Sequence, residues 1–366
     1  MLRVWTALFA FVGLFGGASC HVFNMGPPRN TISVRKRPLD DFEAAEQFNH
    51  LEPLRADIST RGKKLDTKAY GIKYPVDVLV LEENPNVMFI SQFMENQVVK
   101  SDEYGTLTVF AKGVYCETSQ TCSILSGPWG LQQLGQELFV ASFSTDQILV
   151  FDIDSGEFQA AFGNEEELNS PEGMTMGSDG LLYVASYLNN EIVAYNPATR
   201  EYVGTIVRSG TLSGPEGIAF LPAHHAVVAT SHWSDSVMLY DVPKATAGNG
   251  VRAPLELSKE FKLPEKSGPV GVLVDDEDHV LVSLQGNSNT IVRLNVVHGN
   301  FSLFSKHPRM VGPAGMAWIG KQWYDGVGKS LVVASYNTHA LLVFNVTNAS
   351  KNDDGARKGV LVAALK

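Results

Sequence analysis

Pro171-Glu-Gly-Met-Thr-Met-Gly-Ser-Asp-Gly180, Leu181-Leu-Tyr-Val-Ala-Ser-Tyr-Leu-Asn-Asn190, Glu191-Ile-Val-Ala-Tyr-Asn-Pro-Ala-Thr-Arg200 and Glu201-Tyr-Val-Gly-Thr-Ile-Val207 form one continuous stretch, and its punctuation decides the fold. Gly173–Met176, Leu181–Ala185, Glu191–Tyr195 and Tyr202–Val207 are short runs rich in β-branched and aromatic residues. Ser178-Asp-Gly180, Asn189-Asn190 and Asn196-Pro197 close the gaps between them with turn residues. Four such runs in 37 residues predict a four-stranded antiparallel meander.

The same unit returns along the chain. A proline followed two residues later by glycine, or once by aspartate, opens each copy: Pro75-Val-Asp77, Pro128-Trp-Gly130, Pro171-Glu-Gly173, Pro215-Glu-Gly217, Pro269-Val-Gly271 and Pro313-Ala-Gly315. The spacings are 53, 43, 44, 54 and 44 residues. The long ones coincide with two insertions, a loop between Cys116 and Cys122 and the stretch Pro243 to Lys266. A unit of about 44 residues is the size of a propeller blade. The second run of each unit, such as Leu138-Phe-Val-Ala-Ser142 or Leu331-Val-Val-Ala-Ser335, is nearly continuous in apolar residues, as expected of strands buried on both faces. A lone four-stranded sheet covers neither face, whereas a closed ring covers every one. The expected fold is therefore all-β: a six-bladed β-propeller of four-stranded antiparallel blades over residues 70–366, preceded by an N-terminal extension. The last unit supplies its own fourth strand, Gly359–Ala364.

Residues 1–20 carry Arg3 and then an apolar run from Val4 to Ala18, ending in small residues, which is the order of a secretory signal peptide cut after Cys20 or Ala18. The run is short of the roughly 20 residues of a membrane span. Residues 21–69 read as an arm with a short helix near Leu39 to Ala56, where Phe42, Phe48, Leu51 and Leu54 recur at near-helical spacing. A secreted, extracellular location is expected. Cys116 and Cys122 then remain in the mature chain as an even pair and predict one disulfide. Sequons at Asn300, Asn345 and Asn348 predict glycosylation. A formal charge of −10 and no arginine-rich patch argue against nucleic acid or an anionic membrane surface as a partner.

After each second run the sequence gives a small residue, often an aromatic, a polar turn ending in Asn or Asp, and an apolar third run. The copies include Ser91-Gln-Phe-Met-Glu-Asn96, Ser142-Phe-Ser-Thr-Asp146, Ser186-Tyr-Leu-Asn-Asn190, Ser231-His-Trp-Ser-Asp235, Ser283-Leu-Gln-Gly-Asn-Ser-Asn289 and Ser335-Tyr-Asn-Thr-His339. On these motifs the chain resembles the NHL-repeat and gluconolactonase-like six-bladed propellers. The gluconolactonase-like resemblance implies a divalent cation at the channel mouth, calcium, zinc or manganese, held by carboxylate and Asn side chains from the starts of the inner strands. The corresponding positions here are Val76, Trp129, Glu172, Glu216, Val270 and Ala314. Glu172 and Glu216 are thus the metal or ligand candidates, with Asp77 a third acid one position out of phase. The alternative for both glutamates is capping of buried amides across the channel. Trp129 is either a plug of the channel or a platform for a ligand. Amidating-lyase propellers, a second resemblance, hold zinc through histidines, which brings in His232 and His339, otherwise exposed turn residues. Two histidines are fewer than a zinc site uses. The sequence contains no nucleophile elbow, phosphate loop or zinc-protease helix. The expected role is a monomeric binding scaffold whose channel face takes a small molecule or an extracellular protein. The alternatives are a metal-dependent lactonase or hydrolase, and an amidating-type lyase.

Overall fold

The computed structural model describes residues 71–366, apart from 82, 86, 103–104, 117–121, 211, 244–253, 320–329, 349–356 and 366. The signal segment and the helix expected near residues 39–56 lie outside the described residues.

Blade one comprises β1 (Pro75–Val80), β2 (Met88–Gln92), β3 (Gln97–Ser101), β4 (Leu107–Cys116) and β5 (Cys122–Leu125). Blade two is β6 (Pro128–Leu134), β7 (Glu137–Ser142), β8 (Gln147–Asp152) and β9 (Phe158–Phe162), and blade three is β10 (Pro171–Met176), β11 (Leu182–Ser186), β12 (Glu191–Tyr195) and β13 (Tyr202–Val207). Blade four is β14 (Pro215–Leu221), β15 (Ala226–Ser231), β16 (Ser236–Asp241) and β17 (Glu256–Lys262). Blade five is β18 (Pro269–Val274), β19 (His279–Leu284), β20 (Thr290–Asn295) and β21 (Phe301–Lys306). Blade six is β22 (Pro313–Ile319), β23 (Ser330–Ser335), β24 (Ala340–Asn348) and β25 (Arg357–Leu365). Each blade is an antiparallel meander of consecutive strands, and β1 lies against both β6 and β22, so the ring of inner strands is closed. Blade one departs from the expected four strands. The insertion folds back as a hairpin and adds β5, with Cys116 and Cys122 as cross-strand partners.

The core is divided among the interfaces between blades. On β11, Leu182 and Val184 pack toward blade two with Phe139 and Val150, while Tyr183 and Ala185 pack toward blade four with Val227 and Ala229. This period-two division explains why a strand buried on both faces carries apolar residues at every position. Six clusters of this kind fill the interfaces, including one that joins Val78 and Ile90 of blade one to Val332 and Leu341 of blade six.

The turn motifs have a shared structural task. Asn96, Asp146, Asn190, Asp235, Asn289 and His339 all adopt the left-handed conformation, with φ between 45° and 58°. The side chain of each accepts a backbone N–H from the residue before the next blade's proline: Gly127, Ser170, Gly214, Gly268, Gly312 and, across the ring closure, Tyr74, at 2.7 to 3.1 Å. Asn and Asp suit the site because they tolerate this backbone and carry a short acceptor. The described turns also correct the repeat alignment. Gln92 and Leu284, rather than Ser91 and Ser283, end their strands opposite the prolines.

Candidate functional site

Every inner strand has a bulge at its proline motif; in blade three, Pro171 pairs with Ser186, and the ladder resumes only at Met174 with Val184. A bulge takes the residues between out of the ladder and re-aims them. The glycine then sits against the backbone of the neighbouring blade. A Cβ on Gly173 would lie 2.5 Å from the Glu216 carbonyl oxygen, and one on Gly217 would lie 2.3 Å from that of Val270. These contacts are backbone to backbone, so no side-chain rearrangement relieves them. Hydroxyls on the adjoining second strands tie the same region. Thr230 accepts from the Gly217 N–H at 2.7 Å and donates to the Val270 carbonyl at 2.7 Å, and Ser283 does the same between Gly271 and Ala314, at 2.8 Å for each bond.

Within the ring of inner strands is a cavity of about 370 Å³, lined mainly by aliphatic side chains and backbone, with Asp77, Trp129, Glu216 and Trp318 on its wall. Val76, Val270 and Ala314 are buried, as are Glu172 and Glu216. Glu216 faces the cavity and Glu172 is not part of its lining. The two glutamates therefore share a sequence position but not an environment. Glu216 Oε1 stands 2.8 Å from Nδ1 of His232, whose side chain is only 12% exposed. His232 is thus a largely buried partner of Glu216 and not an exposed turn histidine. His339 is not one either: its Nδ1 accepts the Tyr74 N–H, and its ring meets that of Tyr74 edge-on at 4.2 Å. The two histidines serve different tasks, and among the described residues no three His, Cys, Asp or Glu side chains converge as a metal-binding group.

Asp77 occupies the place that glycine fills in the other blades. One carboxylate oxygen accepts from the Val78 N–H and the other from the Leu131 N–H of blade two, each at 2.9 Å. Burial pushes its carboxyl up to about 6, although both N–H groups act in the opposite direction. Its out-of-phase position in the sequence has a physical reason: the carboxylate spans a gap between backbones that elsewhere closes over glycine.

Trp129 is half-buried at the mouth, and it begins a feature that the sequence shows only in parts. Its ring meets Phe93 at 5.2 Å and Phe143 at 5.8 Å; Phe143 approaches Tyr187, and Tyr187 approaches Trp233, each at 6.2 Å; and Trp233 meets His232 at 4.8 Å. This aromatic arc follows the mouth across blades one to four. Met94, Leu188 and Trp233 stand exposed along it. The recurrence of an aromatic after the second strand was the available signal; its continuity between blades was not. Tyr187 and Trp233 also pack between blades, closing over Gly214, as their repetition predicts.

Of the sequons, Asn300 is exposed between β20 and β21, and Asn345 lies half-buried within β24. The side chain of Asn348 lies outside the described residues.

No family model matches the sequence, and no curated protein matches it. Solved structures do resemble it. A putative gluconolactonase superposes with a TM-score of 0.58 over 84% of this chain and 95% of that one, at 14% identity. Virginiamycin B lyase from Staphylococcus aureus gives 0.53 over 80% and 85%, at 16% identity. An auxiliary nutrient-binding protein from Bacteroides ovatus gives 0.54 over 74% and 68%, at 12% identity. The architecture is the six-bladed propeller that the NHL-like and gluconolactonase-like motifs imply, and at these identities the likeness is one of fold.

Proposed function

We propose that the chain is a binding propeller that takes a small molecule through the channel face where the inner strands begin, and that it works outside the cytosol. The observation that carries the binding reading is the cavity itself. It is mostly apolar and about 370 Å³ in volume, with a few polar groups on its wall and an aromatic rim at its mouth, and this combination is typical of small-molecule sites. Exposed Met94, Leu188 and Trp233 would add contact area around a ligand that protrudes. The signal-like order of residues 1–20 supports secretion, and the pairing of Cys116 with Cys122 across β4 and β5 supports a disulfide. Among the described residues no helix is long and apolar enough to cross a membrane.

The test is a thermal-shift screen of small molecules against the full chain and Trp129→Ala. The expected result is binders that raise Tm in the parent and lose most of that shift in the variant. Binders that act equally on both would move the site away from the channel.

The metal-dependent lactonase reading keeps one support, the Glu216 and His232 pair. The donor set does not fit a hard divalent cation, which takes six or more oxygens. Glu172 lies off the cavity wall, and both oxygens of Asp77 already accept backbone N–H groups. Elemental analysis before and after dialysis against a chelator is expected to show no retained stoichiometric metal and an unchanged Tm; one ion per chain, lost together with Tm, would restore the enzyme reading.

A further inference from the structure

The charges on the cavity wall are of one sign. Among the described residues that line it, the ionisable side chains are Asp77 and Glu216, and there is no lysine or arginine. The rest of the wall is aliphatic, from Val76, Leu131, Met174, Ile218 and Val272, with indole rings at Trp129 and Trp318. Trp318 is held in place by donating its Nε1–H to the Val274 carbonyl at 2.8 Å. A carboxylate inside such a wall has little water to screen it, so it attracts a cation and repels an anion more strongly than it would at the surface. Aromatic faces act in the same sense, because their quadrupole favours positive charge. The mouth repeats the pattern, with Phe93, Trp129, Phe143, Tyr187 and Trp233 in one arc. An inorganic cation would leave the aliphatic wall unused.

We propose that the central cavity selects a small organic cation, an ammonium group carried on an apolar or aromatic body, drawn by the negative field of the buried Asp77 and Glu216 carboxylates and packed against Trp129 and the aliphatic wall. The inference rests on the channel being the binding site and adds the chemical class of its ligand.

Three probes of matched size test it by isothermal titration at pH 7.5 on the full chain: 2-phenylethylamine, its neutral counterpart 2-phenylethanol, and the anion 3-phenylpropanoate. The amine is expected to bind at least tenfold tighter than the alcohol, and the anion more weakly than either. Glu216→Gln is expected to reduce the amine's affinity about tenfold and leave the alcohol's unchanged, with circular dichroism confirming the fold. The comparison of probes on the unaltered protein needs no variant, so a misfolded variant does not blunt the test. Alcohol or anion binding as tight as the amine's would overturn the cation assignment while leaving the channel as a binding site. Binding of none of the three, together with an empty thermal-shift screen, would overturn both.

Discussion

Among the described residues, five of the junctions between blades are crossed by the chain itself and the sixth, between blade six and blade one, is not; yet all six use the same parts. Each has a shared apolar cluster, an inner-strand contact and a left-handed residue clasping the N–H before the next proline. The sixth differs at two positions: His339 replaces Asn or Asp as the acceptor, and Tyr74 replaces Gly or Ser before the proline. Tyr74 holds φ at 46°, a conformation that costs a non-glycine residue roughly 1 to 2 kcal/mol. Its ring in return meets His339 at 4.2 Å and Tyr336 at 5.4 Å, and such aromatic pairs contribute about 0.5 to 1.5 kcal/mol each. At this junction side chains supply a connection of their own.

Altering the chain-crossed junctions should have the largest effect. Gly217→Ala places a Cβ 2.3 Å from the Val270 carbonyl oxygen, and the backbone cannot yield without moving blade five. A loss of about 3 kcal/mol is expected in denaturant unfolding; a loss under about 1 kcal/mol would show that the inner ring is looser than its geometry implies.

The junction between blades one and two is expected to be pH-sensitive through Asp77, whose carboxylate accepts the Leu131 N–H of blade two. Its folded carboxyl titrates at about 6 against 3.8 for an unperturbed aspartate, so the folded chain holds the proton more tightly than the unfolded one. The associated stability is complete below about pH 4 and falls as pH rises through 6, by on the order of 2 to 3 kcal/mol. Asp77→Asn should flatten that limb when unfolding is followed from about pH 4 to about pH 8; the same slope in the variant would assign it to other groups.

Smaller effects separate the clasps themselves. His339→Ala should cost about 2 kcal/mol and Asn190→Ala about 1, because the former also removes the ring contact with Tyr74. Hydrogen exchange at β1 and β23 would report the sixth junction opening first; equal protection at all six junctions would erase the distinction between them.

Much of the fold was legible because its signals are local. The proline motifs mark the bulged inner strands, and the continuous apolar runs mark strands with neighbours on both faces. The fifth strand of blade one was not legible, because a polar loop between two cysteines has no periodicity to show that it folds back. The site was legible as positions and not as directions. Glu172 and Glu216 occupy equivalent places, but which of them faces the cavity depends on how each bulge packs against the next blade. The repeat alignment slipped at Ser91 and Ser283 because a serine occurs one residue before the strand end in those blades, and sequence does not distinguish a hydroxyl that ties the inner ring from one that ties the turn. The aromatic arc could be seen as a recurrence, but its continuity arises only when the ring brings neighbouring turns together.

The glycine contacts carry a consequence for what the centre of the ring can hold. Because backbone lies against backbone around the centre, the width of the channel is set by the peptide geometry of six repeats and hardly at all by the side chains that point from it. The positions that follow the prolines can then carry different chemistries, from Val76 and Ala314 to Trp129 and Glu216, around a centre whose backbone approach is the same from blade to blade.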